Sequence, residues 1–343
     1  MPISKPHRLL AATAALAVSL TALAGCSAGG GDTTDAPTPL RVALAWIPNV
    51  EYGGFWLADS AGYYEDEGLD VEWIPGGPEA PTVEATVAAG GADIGVESTL
   101  GQLLQAVSQG DELVALGSVF QKNPGCILTL GPDPVTSIAD LQGKRILSQD
   151  ESVVGGLFDV ADLPHDYTFV PTSFDPGALV SGDGDAYTAY FVNQPVTLET
   201  QFGLAEGKDF TCALLSDLGF PTYASTIFTA ESSLSEDRDA YVRFLRATLK
   251  GWTDYLESSD EAAQLAVDVY GVSLGLDLEQ QKTQAERQLT LLESDGTAAN
   301  GLLSMDEDLV QGTIYDVLAV QGLTDLPPAS DVIDGTVLED AAK

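Results

Sequence analysis

The sequence predicts an α/β protein with two lobes, in which parallel-rich sheets are flanked by helices and a ligand cleft lies between the lobes. Three observations predict this fold class. Short β-rich runs alternate with helical patterns, a second α/β set follows the first, and the C-terminal tail is almost purely helical. Because parallel strands need crossover connections, the alternation favours parallel-rich sheets that are covered by helices.

The first set of elements alternates strands and helices in the order βαβαβαβ. Its predicted strands are residues 40–46, 69–74, 93–96 and 113–120, and its predicted helices are residues 55–67, 81–89 and 100–108. The strands are short apolar runs, and the helices carry apolar residues at helical spacing. This order predicts one layered α/β lobe.

The second set repeats the alternation, and the helical tail follows it. The predicted strands are residues 127–130, 145–147, 167–170, 186–191, 212–215 and 226–229, with a helix that ends at Gln142-Gly143. The tail is predicted to form helices at residues 236–258, 262–270, 278–292 and 306–321. A second lobe and a return of the chain to the first lobe follow from this order.

The chain is therefore predicted to cross between the lobes twice, near residues 120–125 and 219–225. Lobe 1 is predicted to contain residues 40–120 plus 226–343, and lobe 2 residues 121–225. The prolines and glycines at the crossings suit a hinge. Ligands of α/β sheets bind at the carboxyl ends of the strands, so the site is expected in the cleft between the lobes.

The N-terminus has the pattern of an export signal. Lys5, His7 and Arg8 precede an apolar run at residues 9–23, which is too short to span a bilayer comfortably. The run ends on Leu-Ala-Gly-Cys26, which resembles the bacterial lipobox. Residues 1–25 are predicted to be a lipoprotein signal peptide, and Cys26 is the predicted lipid attachment site. The alternatives are an ordinary secretory signal and a retained membrane helix.

Residues 26–39 are rich in Ser, Gly, Asp, Thr and Pro and are predicted to be a flexible tether. We therefore expect an extracytoplasmic protein that is anchored to the cell membrane by lipid only.

The chain has 14 Lys and Arg against 52 Asp and Glu, a formal charge of −38. Such a charge excludes nucleic acid as a partner. The acids are scattered, so they indicate a solvated surface, and no metal and no cofactor is predicted.

Cys126 and Cys212 both lie in short strand-like runs. In an oxidising exterior such a pair forms a disulfide when the backbone brings the two residues together. The sequence leaves two alternatives, a disulfide or two buried free thiols.

Several segments resemble one family of solute-binding proteins. They are residues 45–56 (AWIPNVEYGGFW), 62–71 (GYYEDEGLDV), 90–96 (GGADIGV), 121–124 (QKNP) and 138–146 (IADLQGKRI). Across residues 41–230 the chain resembles the binding proteins and synthase-like proteins of thiamine-pyrimidine precursors such as formylaminopyrimidine, whose kin bind riboflavin, sulfonates and nitrate. The resemblance implies a periplasmic-binding-protein fold of type II.

The resemblance also implies a function. It indicates the solute-binding subunit of an ABC importer, monomeric, that delivers a small flat heterocycle to permease and ATPase subunits. Riboflavin, a sulfonate or nitrate is the alternative ligand, and a surface sensor is the alternative role.

The loop after the first strand is the main candidate for the binding site. Trp46 and Tyr52 supply aromatic rings that can stack on a flat ligand, although Trp46 also suits a hydrophobic core. Asn49 and Glu51 lie between them and can bind the donor and acceptor edge of a heterocycle. These four residues are the predicted contacts from this loop.

Four further residues are predicted to contact the ligand. Ser98 follows a strand, where it either only caps a helix or caps the helix and also contacts the ligand, and Gln121 lies at the first crossing. Tyr187 and Tyr190 point to opposite faces of their strand, because side chains alternate along it. Tyr190 is nearer the strand end and is favoured, with Asn193 beside it.

One departure from the family pattern bears on the ligand and on chemistry. Tyr52 stands where the pyrimidine-precursor branch has a histidine, and the only histidines here are His7 and His165. The related enzymes that make the pyrimidine consume a histidine and need a cysteine-rich motif, and this sequence has neither. No nucleophile elbow, phosphate-binding loop or metal-ligand spacing is present. We therefore predict a binding protein with no catalytic residues, and not an enzyme.

Overall fold

A computed structural model describes residues 36–343. The predicted signal peptide, Cys26 and nearly all of the predicted tether lie outside the described residues. The strands of the described part are β1 Thr38–Leu44, β2 Leu69–Ile74, β3 Ile94–Thr99, β4 Leu113–Phe120, β5 Gly125–Leu130, β6 Lys144–Ser148, β7 Tyr167–Pro171, β8 Ala186–Tyr190, β9 Phe210–Leu214 and β10 Ala224–Ala230. Most of them start and end within two residues of the predicted strands.

The strands form two mixed sheets of five strands each in the described part of the chain. The first sheet has the order β2-β1-β3-β10-β4, with β1 parallel to β2 and β3, and β10 antiparallel to β3 and β4. The second has the order β7-β6-β8-β5-β9, with β6 parallel to β7 and β8, and β5 antiparallel to β8 and β9. The chain leaves the first sheet after β4 and returns to it in β10.

Helices cover both sheets and make up the C-terminal region, which confirms the predicted α/β class. They are α1 Gly53–Ser60, α2 Tyr63–Asp66, α3 Val83–Ala88, α4 Leu100–Ser108, α5 Glu151–Val160, α6 Gly177–Val180, α7 Gln194–Phe202, α8 Glu231–Glu236, α9 Arg238–Leu265, α10 Leu278–Gln288, α11 Asp295–Asn300, α12 Glu307–Leu309, α13 Tyr315–Val320, α14 Ala329–Val332 and α15 Gly335–Ala341. The long helix α9 is interrupted at Ser258 (φ −133°, ψ 37°), where the sequence pattern predicts a helix end.

Close packing of α1 against α9 fixes the end of the first strand-to-helix connection. A side chain at Gly54 would overlap the ring of Trp252, and one at Gly251 would overlap the backbone of Gly54. The two helices therefore approach so closely only because both positions are glycine. Phe55 and Trp56 are fully buried next to this contact. The loop that precedes α1 is thus held by a packed core.

A disulfide joins Cys126 on β5 to Cys212 on β9, with a Cα–Cα distance of 5.8 Å. This resolves the alternatives that the sequence leaves open in favour of the disulfide. The bond links the edge strand β9 to its neighbour in the second sheet.

None of the helices in residues 36–343 combines the length and the apolar character that crossing a bilayer requires.

Candidate functional site

A cavity of about 150 Å³ lies where connections of the first sheet meet connections of the second. Six of the residues predicted from the sequence line it, and these are Trp46, Asn49, Glu51, Ser98, Tyr190 and Asn193. Trp46 follows β1, Ser98 lies near the end of β3, and Tyr190 ends β8. The cavity is therefore at the carboxyl ends of parallel strands, as expected for this class of sheet.

The loop after β1 is organised by Asn49. Its Oδ1 accepts a hydrogen bond from the backbone N–H of Glu51 at 2.8 Å, which caps the 3₁₀ helix Val50–Tyr52. Its carbonyl oxygen accepts a hydrogen bond from Nε1 of Trp56 at 2.8 Å. Because a backbone N–H can only donate, Oδ1 must face it, and the Nδ2 group of Asn49 is left as a donor at the cavity.

Glu51 is a buried carboxyl group at the cavity wall. Its Oε1 accepts hydrogen bonds from the hydroxyls of Tyr190 at 3.3 Å and Ser225 at 3.4 Å. Burial raises the pKa of Glu51 to about 7, although the two hydroxyl donors act in the opposite direction. Ser225 has a positive φ of 50°, an unusual backbone conformation for a serine, and the pairing of β10 with β3 omits it.

A second buried carboxyl group lies directly behind Ser98. Oε1 of Glu97 accepts a hydrogen bond from the backbone N–H of Ser98 at 2.6 Å. Burial and the neighbouring Glu84 carboxylate raise the pKa of Glu97. The first-sheet side of the site therefore holds carboxyl groups that keep protons more readily than exposed ones.

The second-sheet side of the cavity is held by Gln194 at the start of α7. Its Oε1 accepts a hydrogen bond from the backbone N–H of Tyr190 at 2.7 Å, and its Nε2 donates to the carbonyl of Phe174 at 3.3 Å. The Phe174 ring packs edge-on against Trp46, with ring centroids 5.4 Å apart. Tyr187 is not among the residues that line the cavity, and its hydroxyl donates to the carbonyl of Ser173. The aromatic pair of Trp46 and Phe174 thus connects the two sides of the site.

Two predicted contact residues, Tyr52 and Gln121, are not among the residues that line the cavity. Tyr52 is 1% exposed, and its hydroxyl accepts a hydrogen bond from the backbone N–H of Trp46 at 2.9 Å. The Nε2 group of Gln121 donates to the carbonyls of Ser118 and Ser304. Both side chains support the backbone near the site, and we do not include them among the proposed ligand contacts.

Replacing Tyr52 with Phe is expected to lower the free energy of unfolding by about 1 kcal/mol, because the backbone N–H of Trp46 loses its acceptor. The affinity for a bound solute should change by less than about threefold, since the phenol does not line the cavity. Tyr190→Phe is the matched comparison, because it removes the hydroxyl that contacts Glu51. In this variant the loss of binding free energy should exceed the loss of unfolding free energy. Chemical denaturation and calorimetric titration measure the two effects. Equal losses of affinity in both variants would contradict this assignment.

Six lining residues were not predicted from the sequence, namely Val50, Phe174, Val192, Gln194, Gln284 and Gln288. Phe174 lies in a connection without a distinctive pattern, so no local signal identifies it. The glutamines of α10 had a signal. Gln281, Gln284 and Gln288 are spaced on one helix face, which also carries the buried Ala285. Polar residues at core positions of a helix indicate a buried polar site.

The charge of the lining is unusual for a site that binds anions. Among the described residues that line the cavity, none is Lys, Arg or His, and Glu51 is the one acid. Residues 36–343 contain no group of three or more His, Cys, Asp or Glu side chains placed to hold a metal ion. The polar groups at the cavity are mainly neutral amides and hydroxyls, which suit an uncharged ligand with hydrogen-bonding edges.

The fold is that of the two-lobed periplasmic binding proteins, as predicted. The periplasmic aliphatic sulphonate binding protein SsuA from Escherichia coli superposes with a TM-score of 0.63 at 15% identity, over 88% of this chain and 99% of that one. This likeness shows the fold. The profile of the NMT1/THI5-like family matches residues 49–262, and the chain belongs to that family. The resemblance stated from the sequence motifs is thereby confirmed.

Two curated relatives are similar over most of the chain. The formylaminopyrimidine-binding protein of Halalkalibacterium halodurans is 26% identical over 254 residues, which cover 72% of this chain and 75% of the relative. The riboflavin-binding protein RibY of Chloroflexus aurantiacus is 25% identical over 310 residues, which cover 86% of each chain.

Proposed function

We propose that the protein is the extracytoplasmic solute-binding subunit of an ABC importer, which captures a small, flat, uncharged heterocycle and delivers it to a permease. The observation that carries the proposal is the cavity between the connections of the two sheets, which is lined by Trp46, Phe174 and mainly neutral hydrogen-bonding groups and by no cation among the described residues. Such a lining stabilises an aromatic ring by stacking and satisfies its polar edge. The names of the two curated relatives support the same class of ligand.

The size of the cavity favours a single ring. At about 150 Å³ it equals the volume of an engineered protein cavity that admits benzene. A thiamine pyrimidine precursor has one six-membered ring and fits this volume. Riboflavin has three fused rings, so it would require the lobes to open further. The absence of Lys, Arg and His from the described lining also disfavours sulfonate and nitrate, because neither anion would have an oppositely charged side chain there.

Closure of the two lobes provides the mechanism of capture. Arg287 on α10 pairs with Glu199 at 2.8 Å and with Glu206 at 2.7 Å, and Nε2 of Gln284 donates to Oδ1 of Asn193 at 3.2 Å. These contacts join the helical tail to the second-sheet lobe. A ligand that touches both sides of the cavity binds the closed form better and shifts the population towards it. The closed form is then the one that the permease would bind.

The remaining features of the proposal come from the sequence. Cys26 would carry the lipid that anchors the mature protein to the cell membrane, and the tether would let the folded part reach the permease. The disulfide is in keeping with an oxidising, extracytoplasmic location. We propose a monomer that works with permease and ATPase subunits.

A thermal-shift screen with formylaminopyrimidine, riboflavin, taurine and nitrate tests the proposal. One of the heterocycles should raise the Tm, since a ligand in large excess over its Kd adds several kcal/mol to stability, whereas taurine and nitrate should not. Trp46→Ala and Asn49→Ala should each weaken binding of that heterocycle at least about tenfold. Asn300→Ala, an exposed position at the end of α11, is the control and should bind normally. Stabilisation by the anions alone would refute the proposed ligand class.

A further inference from the structure

Gln288 lines the cavity and has one buried hydrogen-bonding atom without a partner among the described residues. The side chain is fully buried and lines the cavity. Its Nε2 group donates to the carbonyl of Val50 at 2.9 Å and to the hydroxyl of Tyr255. Its Oε1 atom is buried and has no hydrogen-bond partner among the residues that the structure describes. A buried acceptor without a donor is costly, so such an atom in a binding cavity indicates a group that the ligand supplies.

The orientation of the Gln288 amide is fixed by its surroundings. The carbonyl of Val50 can only accept a hydrogen bond, so the nearby atom of the amide must be Nε2. The Tyr255 hydroxyl donates to the carbonyl of Ala285 at 3.1 Å and is therefore free to accept from the same Nε2 group. Exchanging the two ends of the amide would place oxygen against the Val50 carbonyl. Oε1 is consequently the unpaired atom of this side chain, which lines the cavity.

A series of hydrogen-bonded amide side chains fixes the orientation of the Asn193 amide in the same way. The backbone N–H of Val50 donates to Oε1 of Gln281 at 2.9 Å, Nε2 of Gln281 donates to Oε1 of Gln284 at 2.6 Å, and Nε2 of Gln284 donates to Oδ1 of Asn193. Because a backbone N–H only donates, Oε1 of Gln281 must face Val50, and this fixes the orientation of each following side-chain amide in the series. Asn193 therefore has its Nδ2 group left as a donor at the cavity.

We propose that Gln288 determines the specificity of this site by accepting a hydrogen bond from an N–H group on the edge of the bound ring, while Asn193 donates to an acceptor elsewhere on the ring. The inference rests on the proposed function and adds the hydrogen-bonding pattern of the ligand. A ring that carries an amino group or a ring N–H together with an acceptor satisfies both residues. A ring of the same size without the N–H leaves Oε1 unpaired and is rejected.

Two matched pairs of probes test this inference on the whole protein. In the first pair, 4-amino-2-methylpyrimidine is compared with 2,4-dimethylpyrimidine, which replaces the amino group by a methyl group of similar size. In the second, riboflavin is compared with its N3-methyl derivative, which lacks the ring N–H. Whichever ring binds, we expect calorimetric titration to give at least about tenfold tighter binding for the member with the N–H.

Substitution of Gln288 tests whether this side chain causes the preference for the probe that carries the N–H group. Gln288→Met fills a similar volume without the acceptor and should reduce the preference to less than about threefold. Gln121→Met is the matched control, since Gln121 is also a buried, hydrogen-bonded glutamine but does not line the cavity. It should keep the preference of the original protein even if its Tm falls. The comparison of probes on the unsubstituted protein stands even if Gln288→Met does not fold.

The outcomes separate this inference from the proposed function. If one ring binds and its partner without the N–H binds equally well, the role of Gln288 is refuted and the proposed function stands. If the preference persists in Gln288→Met, another residue accepts the hydrogen bond and the inference is equally refuted. If no member of either pair binds, the proposed function fails and the inference fails with it.

Discussion

Replacing both Cys126 and Cys212 with Ala is expected to lower the free energy of unfolding by about 2–4 kcal/mol. The bond closes a long loop, because the two cysteines are 86 residues apart, and its removal gives the unfolded chain much more conformational freedom. It also ties the edge strand β9 to β5. Urea-induced unfolding with and without the two substitutions measures the loss.

A redox comparison provides the control for this prediction. A reducing agent should lower the urea midpoint of the protein with the Cys126–Cys212 pair and leave that of the double variant unchanged. Cys26→Ser removes the remaining cysteine and should retain the full response to the reductant. If the reductant has no effect on the protein that keeps the pair, the disulfide does not contribute to stability in solution.

The binding loop shows how far the sequence could predict the site. The sequence identified the segment that contains Trp46, Asn49, Glu51 and Tyr52, because aromatic and polar residues cluster directly after a strand. It could not tell which side chains face the cavity. Val50–Tyr52 forms a 3₁₀ helix with about three residues per turn, so neighbouring side chains point in directions about 120° apart. Glu51 therefore lines the cavity, whereas Tyr52 is directed into the core.

Long-range pairing limits what could be predicted about the sheets. The pattern of alternation predicts each strand locally, and most strand positions agree with the structure. The position of β10 between β3 and β4, antiparallel to both, depends on contacts between residues more than a hundred positions apart in the chain. That placement brings Ser225 to Glu51. A functional contact of this kind has no local signal, because neither residue is unusual in its own segment.

Helix α10 is different, because its contribution could have been inferred. Its sequence pattern predicted a helix, and three glutamines occupy the same face as the buried Ala285. A helix face that mixes apolar residues with glutamines at regular spacing needs buried partners for the amides. What the sequence lacked was the identity of those partners, Val50 and Asn193, which belong to distant segments.

Glu51→Gln is expected to stabilise the ligand-free protein at pH 8 by roughly 3 kcal/mol and to have little effect near pH 4.5. In the folded protein, burial raises the pKa of Glu51 from 4.5 to about 7. Between these values the folded state keeps a proton that the unfolded state has lost. In the original protein, the stability that Glu51 contributes by keeping this proton is therefore complete below about pH 4.5 and is lost as the pH rises through about 7. Gln has no charge to bury and still accepts hydrogen bonds from Tyr190 and Ser225.

The difference between the two pH profiles is the informative quantity. Glu97 also has a raised pKa, so the free energy of unfolding should fall with rising pH in both proteins, but more steeply with Glu51 present. Glu65→Gln, at an exposed position of α2, is the matched control and should follow the original profile. Parallel profiles for Glu51→Gln and the original protein would mean that Glu51 is ionised in both states across this range. In that case the cavity would hold a negative charge, and a cationic ligand would become the better match for the site.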